Sequence, residues 1–197
     1  MRPAPRRVLR PSALPARPRR DGSSADGRHP YRGAMPAEPT VRPAVPADAD
    51  GIAAVHIRTW QETYAHLLPA SYLDGLDVAT RAADWRRTLT SSSAAPPWVA
   101  LDGDRIVGFA LSGPARDEDP PRPFQLYAIN VIASAHGSGA GQALVDASVG
   151  DSPAYLWAAD DNPRAEAFYR RNGFVRDGGV ERQLYQGAEM VTVRMVR

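Results

Sequence analysis

Residues 124–142, FQLYAINVIASAHGSGAGQ, read as a strand, a glycine loop and the start of a helix. Phe124 to Ile132 is dense in apolar and aromatic residues, the pattern of a strand buried on both faces. The cluster His136-Gly137-Ser138-Gly139-Ala140-Gly141 follows at once, and Ala143, Leu144, Val145 and Ala147 continue at helical spacing. Alternate glycines let the backbone take φ > 0 and approach a ligand without an intervening Cβ, so that several N–H groups turn to one point. At a helix N-terminus such groups bind anions, phosphate above all.

Three phosphate ligands compete for this loop. A nucleotide-hydrolysing P-loop requires a Lys after its second Gly, and the chain contains none: all 24 of its Lys and Arg residues are Arg. A dinucleotide fingerprint requires G-x-G-x-x-G, whereas Gly137, Gly139 and Gly141 give G-x-G-x-G. Asp160 and Asp161 do stand about 20 residues further on, after a strand-like AYLWA, which keeps this reading as runner-up. Too little chain follows Asn162 to supply its missing strand–helix units. The third ligand is the diphosphate of an acyl-coenzyme A.

A second motif decides among them. In NPRAEAFYRRNGF, Asn162 to Phe174, either Asp161 or Asn162 can cap a helix, Pro163 suits its first turn, and Ala165, Phe168 and Tyr169 share a face before Asn172-Gly173 ends it. The spacing His136-x-x-Gly139-x-Gly141 resembles the Q/R-x-x-G-x-G/A signature of GNAT-type N-acetyltransferases, and N-x-x-A-x-x-F-Y-x-x-x-G-F is similar to their second cofactor motif. The resemblance spans roughly Thr40 to Met195, and the two motifs occur in the right order, each after a predicted strand. His136 departs from the pattern, since it replaces a Gln or Arg but leaves the backbone cradle in place. The helix after the loop also stops early, near Val149-Gly150.

The resemblance implies an α+β fold of three layers: a central, mostly antiparallel mixed sheet, splayed between its fourth and fifth strands and flanked by helices. It implies acetyl-coenzyme A as acyl donor, held by His136, Gly137, Ser138, Gly139, Ala140 and Gly141, by the backbone of Ile129 and Val131, and by Asn162 and Phe168. It implies direct transfer of the acetyl group to a primary amine of a small molecule or peptide N-terminus. Tyr169 takes the position of the general acid, its phenol, of reference pKa about 10, matched to a departing thiolate. A tyrosine merely stacked under the cofactor is the other reading of that residue. A backbone N–H on the fourth strand would polarise the thioester carbonyl, a contribution worth about 3 kcal/mol per donor.

Length and composition agree. The chain has 197 residues, 43% of them hydrophobic, with no apolar run of the roughly 18 residues a membrane span requires. Without cysteine there is no disulfide framework, thiolate metal site or acyl-cysteine intermediate, so transfer is expected to be direct and the location cytoplasmic. The four histidines are scattered and no His/Glu/Asp spacing suggests a metal. Ser91-Ser92-Ser93 reads as a loop without the G-x-S-x-G elbow of a serine hydrolase.

Charge is unevenly placed. Residues 1–34 carry nine arginines against two acids, +7, whereas residues 35–197 carry fifteen arginines against twenty acids, −5. The first segment, rich in Pro, Arg, Gly and Ala, is expected to be a disordered tail, either a basic arm for nucleic acid or a stretch translated upstream of a physiological start at Met35. The second reading is preferred, so no nucleic-acid partner is expected. Residues 35–197 are expected to form the N-acetyltransferase domain.

From Thr40 the pattern predicts an edge strand with Pro43, a helix capped by Asp48 with Ile52, Val55, His56, Trp60 and Tyr64 on one face, a short turn at Tyr72-Leu73, and a helix Arg81 to Leu89 carrying Trp85. H-x-x-x-W-x-x-x-Y-x-x-L-L-P is similar to the opening of many GNAT-type enzymes of small molecules, which makes Trp60 and Tyr64 the acceptor-pocket candidates, with Asp160 at the end of the fifth strand. His56, His66 and Glu62 lie on the same helical wall without a motif to mark any as base, and an α-amino group of pKa about 8 needs none. PWVAL and RIVGFALS flank the hairpin signal Asp102-Gly103-Asp104, and Asp117-Glu118-Asp119 reads as a solvated acidic loop. After Phe174 to Arg176 come a glycine turn at Gly178-Gly179 and a last strand Glu189 to Val196, and either an exposed edge or that last strand could pair across a two-fold axis in a homodimer. The competing class is a non-catalytic acyl-coenzyme A binding module on the same scaffold.

Overall fold

The computed structural model describes residues 39–91 and 95–197. The basic segment 1–34, and Ser92 and Ser93 of the serine run, lie outside the described residues. In chain order the elements are β1 (Thr40–Pro43), α1 (Ala49–Tyr64), α2 (Ala70–Asp74), α3 (Val78–Thr90), β2 (Trp98–Asp102), β3 (Arg105–Pro114), β4 (Phe124–Val131), α4 (Ala140–Ser148), β5 (Ala154–Ala159), α5 (Pro163–Arg171), β6 (Val175–Tyr185) and β7 (Ala188–Val196). Short 3-10 turns precede α1 and α4, at Pro46–Asp48 and Ala133–Ala135.

The strands form a seven-stranded mixed sheet in the order β1-β2-β3-β4-β5-β7-β6. Every pair is antiparallel except β4 with β5, which the α4 crossover makes parallel. All six residues of β5 are buried, which explains the unbroken apolar reading of AYLWAA. Helices cover both faces. A Cβ on Gly108 of β3 would meet Leu144 of α4, whereas the next residue, Phe109, packs on His56 of α1 and Trp85 of α3. Successive strand residues point to opposite faces, so α4 lies on one side and α1 with α3 on the other.

The parallel pair is short. Only Phe124, Gln125 and Leu126 register with Ala154, Tyr155 and Leu156, and beyond them β4 and β5 separate. At the closed end a buried polar contact sits where an apolar one would be expected: Tyr155 OH donates to Gln125 Oε1 at 3.0 Å, and that oxygen also accepts from Arg116 N at 3.1 Å. The separation divides the interior in two. The larger core gathers β1–β5, α1, α3, α4 and α5, and the smaller one gathers Trp60, Tyr64, Leu68, Leu73, Ala159, Tyr185 and Met190 around the open end.

Several sequence expectations are corrected in detail. Asp48 does not cap α1; its carboxylate accepts from Val45 N at 2.8 Å and pairs with both terminal nitrogens of Arg42, closing the preceding 3-10 turn instead. The third helix begins earlier than Arg81 because Asp77 Oδ1 caps it through Thr80 N at 2.7 Å. Gly178-Gly179 is no turn between strands but lies in a bulge between Arg176 and Val180 inside one long β6. The hairpin turn is at Gln186-Gly187, both at positive φ, 49° and 87°. Asp117 is not simply solvated, since its carboxylate accepts from Trp157 Nε1 at 2.9 Å and ties that loop across β5. Of the two caps proposed for α5, Asn162 is used: its Oδ1 accepts from Ala165 N at 3.0 Å.

Candidate functional site

The glycine loop closes on itself and leaves amides facing out. Ile132 N donates to Val107 O, Ala135 N to Ile132 O, His136 N to Ala133 O and Ser138 N to Ala135 O, at 3.0 to 3.3 Å. The Ser138 hydroxyl donates to Ala135 O at 2.8 Å and accepts from Ala140 N at 3.3 Å. Gly139, at φ 95°, is the N-cap of α4 and offers no side chain to its first turn. The N–H groups of Gly139, Gly141 and Gln142 therefore have no acceptor among the described residues, at the end of a helix whose dipole favours an anion. A Cβ built on Gly139 would meet nothing within 4 Å, so the approach to these amides is open.

His136 has a different role from the Gln or Arg it replaces. Its Nε2–H donates to Val131 O at 2.8 Å, folding the ring back onto β4. Burial holds its pKa below the usual value; the Val131 carbonyl opposes this, Arg164 adds to it and Glu62 opposes it. It braces the loop through that contact, and its lowered pKa favours the neutral ring. A cation nevertheless stands near. Arg164, half-buried in the first turn of α5, has no acid, carbonyl or ring partner among the described residues, and its pKa is lowered by burial and then by Arg171. Sequence reasoning passed over Arg164, a cation in the first turn of a helix, where it opposes the dipole.

Beside the loop, β4 presents an unpaired edge. Ile132 N points to β3, and Asn130 O lies so close to Gly108 that a Cβ there would meet it at 2.8 Å. Backbone groups alternate along a strand, so those of Ile129 and Val131 face the gap left by β5. The Val131 carbonyl is taken by His136, which leaves the N–H and C=O of Ile129 and the N–H of Val131.

Across the gap, Tyr169 is buried against Phe168 and Phe174, with ring centroids 5.6 and 6.1 Å apart, and burial raises its phenol far above the ordinary range. Tyr64, fully buried at the end of α1, is likewise raised, first by burial and then by the phenols of Tyr169 and Tyr185. Its hydroxyl has no hydrogen-bond partner among the described residues. The two acceptor-pocket candidates stand together: Trp60 packs edge-on against Tyr64 at 5.1 Å and against Tyr185 at 5.9 Å. Tyr72 and Tyr185, which sequence reasoning did not select, complete the wall at 5.2 Å from each other, and Ser71 Oγ reaches Gln186 Oε1 at 3.1 Å. This ties α2 to the β6–β7 turn.

The acids and histidines are otherwise engaged. Asp160 pairs with Arg176 Nη1 at 2.7 Å, and the same guanidinium holds Glu166. His56 accepts from Trp85 Nε1 at 3.3 Å, and burial, then Arg81, lowers its pKa to about 3, which removes it as a base at neutral pH. His66 is exposed beside Asp161, 3.7 Å away. Glu62 accepts from Ala133 N at 2.8 Å and from Arg58 Nε at 2.7 Å. Among the described residues no group of three or more His, Cys, Asp or Glu could hold a metal ion.

A splayed mixed sheet with an amide-lined helix N-terminus at the gap defines an acyltransferase scaffold. The chain belongs to the acetyltransferase (GNAT) family, whose model matches residues 57–174. It is 33% identical over 131 residues to an uncharacterized N-acetyltransferase of Bacillus subtilis, YuaI, covering 63% of this chain and 73% of that protein. Among solved structures it resembles one described as histone acetyltransferase HPA2 and related acetyltransferase from Corynebacterium glutamicum, at 27% identity and TM-score 0.56 over 80% of this chain and 95% of that one. An acetyltransferase, yncA, of Salmonella typhimurium, solved with its cofactor acetyl-CoA, shares the fold at TM-score 0.60 and 18% identity, over 82% of this chain and 94% of that one.

Proposed function

We propose that the enzyme transfers an acetyl group from acetyl-coenzyme A directly to a primary amine of a small molecule or peptide N-terminus. The observation that carries this reading is the set of outward amides at Gly139, Gly141 and Gln142 beside the unpaired edge of β4. The residues fit the donor. The loop amides and Arg164 suit its diphosphate, and the free backbone groups of Ile129 and Val131 suit the amides of its pantetheine arm. Asn162, its carbonyl engaged in the cap, has its amide nitrogen to offer, and Phe168 supplies apolar contact.

In this reading the acceptor enters between α1, α2 and the β6–β7 turn, with Trp60 and Tyr64 in its wall and Asp160 at the rim. An N–H of β4 polarises the thioester carbonyl, and the Tyr169 phenol, kept protonated by its burial, gives its proton to the departing thiolate. No side chain is assigned as base, and the amine loses its proton to water. The reaction belongs to the cytoplasm, where the acyl donor is available. The last strand, β7, is paired on both sides by β5 and β6 and has no edge to offer, so the homodimer that goes with this reading uses the free edge of β6, where Val180 and Leu184 are exposed; light scattering that gives the mass of one chain would remove it.

Calorimetry with acetyl-coenzyme A, followed by thiol release across a panel of amines, tests the whole. Binding with turnover on at least one amine supports it. Binding without turnover on any would favour the non-catalytic module, and no binding would remove the donor.

A further inference from the structure

The loop that presents the outward amides is not held by its own strand and helix alone. Ala133 opens the 3-10 turn that leads into it, and the first N–H of such a turn has no acceptor within it. That N–H is satisfied from the acceptor-side helix, 71 residues away in sequence, by Glu62 Oε2 at 2.8 Å. The other carboxylate oxygen accepts from Arg58 Nε at 2.7 Å, one turn back on α1, so both oxygens are engaged and the charge has a partner. From Ala133 the connection runs through the turn. Its carbonyl accepts from His136 N, and His136 braces Val131 through Nε2. Glu62 is also near enough to act on the His136 ring electrostatically.

We propose that Glu62 is a positioning residue for the acyl donor: its carboxylate holds Ala133 and thereby sets the loop amides in their binding arrangement, tying the helix that walls the acceptor to the loop that grips the donor. The inference rests on the assignment of that loop to the donor diphosphate. What Glu62 contributes is reach to one N–H. An anion so close to a diphosphate site is otherwise unfavourable, and Arg58 offsets it.

Reach and charge can be separated. Glu62→Gln keeps an oxygen at the same distance without the charge, whereas Glu62→Asp keeps the charge on a side chain one methylene too short. Calorimetry with coenzyme A should show affinity weakened about tenfold by Glu62→Asp and by Glu62→Ala, and within about threefold of the parent in Glu62→Gln. At saturating donor kcat should stay within about twofold in all three, so the loss appears in KM for acetyl-coenzyme A. Thermal unfolding of each variant identifies any that fails to fold, and the Gln and Asp pair alone then decides. Equal affinity in Glu62→Asp and the parent, or weaker binding by Gln than by Asp, would overturn the proposal. A parent protein that binds no coenzyme A would instead overturn the assignment of the loop.

Discussion

Two buried side chains, Tyr169 of α5 and His56 of α1, carry opposite consequences. Tyr169 is fully enclosed and its phenol is raised by burial, so it stays protonated throughout the pH range in which an amine is reactive. Replacing it with Phe keeps the ring packing on Phe168 and Phe174 and removes the hydroxyl. Turnover should fall about a hundredfold, with coenzyme A affinity within about twofold, as read by thiol release and calorimetry. His56 does no chemistry but sets a pH dependence of stability. Its folded pKa is lowered to about 3 by burial and Arg81, against about 6.5 when unfolded. The unfolded chain therefore binds the proton more readily, and the stability this group contributes is complete above about pH 6.5 and lost as pH falls towards 3. At pH 5 the loss is about 2 kcal/mol. His136 is lowered too and adds in the same direction. Urea midpoints between pH 7 and 4.5 should decline in the parent and decline less in His56→Gln, whose carbonyl can still accept from Trp85.

At the scale of elements, two glycines separate what folds the sheet from what binds the ligand. A Cβ on Gly108 would meet Asn130 O at 2.8 Å and a Val131 methyl at 2.9 Å, forcing β3 off β4. Gly108→Ala should cost about 1–3 kcal/mol in a urea titration. On Gly139 a Cβ meets nothing, but φ 95° strains any L-residue and so would disturb the loop that presents the outward amides. Gly139→Ala should lose about 1–2 kcal/mol of stability, and a larger factor in coenzyme A affinity than Gly108→Ala. The same elements explain what was legible in advance. The loop and the Asn162 cap are local devices in which a few adjacent residues fix the backbone, and so are α4's early end and the hairpin at Gly103. The long β6 was missed because most of it is exposed and shows no apolar alternation, and because Gly178-Gly179 looks like a turn when only the ladder with β7 reveals a bulge. The roles of Glu62, Tyr72 and Tyr185 were beyond reach for a different reason. Their partners are fixed by how elements pack, which spacing along one segment does not contain.

For the whole molecule, the decisive fact is that three residue pairs join the strands of one half to those of the other. A ligand lying in the gap would bridge β4 and β5 where no ladder does. Hydrogen exchange on adding coenzyme A should therefore slow most at residues 127–131, 137–142 and 157–159 and least in β1 and β2; uniform protection would count against binding in the gap. The charge of the described domain fits an amine acceptor, since its acids outnumber its arginines, but the acids nearest the open end are paired. Asp160 is held by Arg176 and Asp161 faces His66.

The contact between Gln125 and Tyr155 bears on how that opening is made. An apolar seam at the same place could slide, letting the two strands meet further along when nothing lies between them. A buried amide that accepts from a hydroxyl and from Arg116 has one registry in which it is satisfied, and leaving it would strand polar atoms out of water. The molecule is thus a fork with its crotch bolted. The spacing of the prongs is inherited from the chain, and a guest finds the space ready instead of having to wedge it apart.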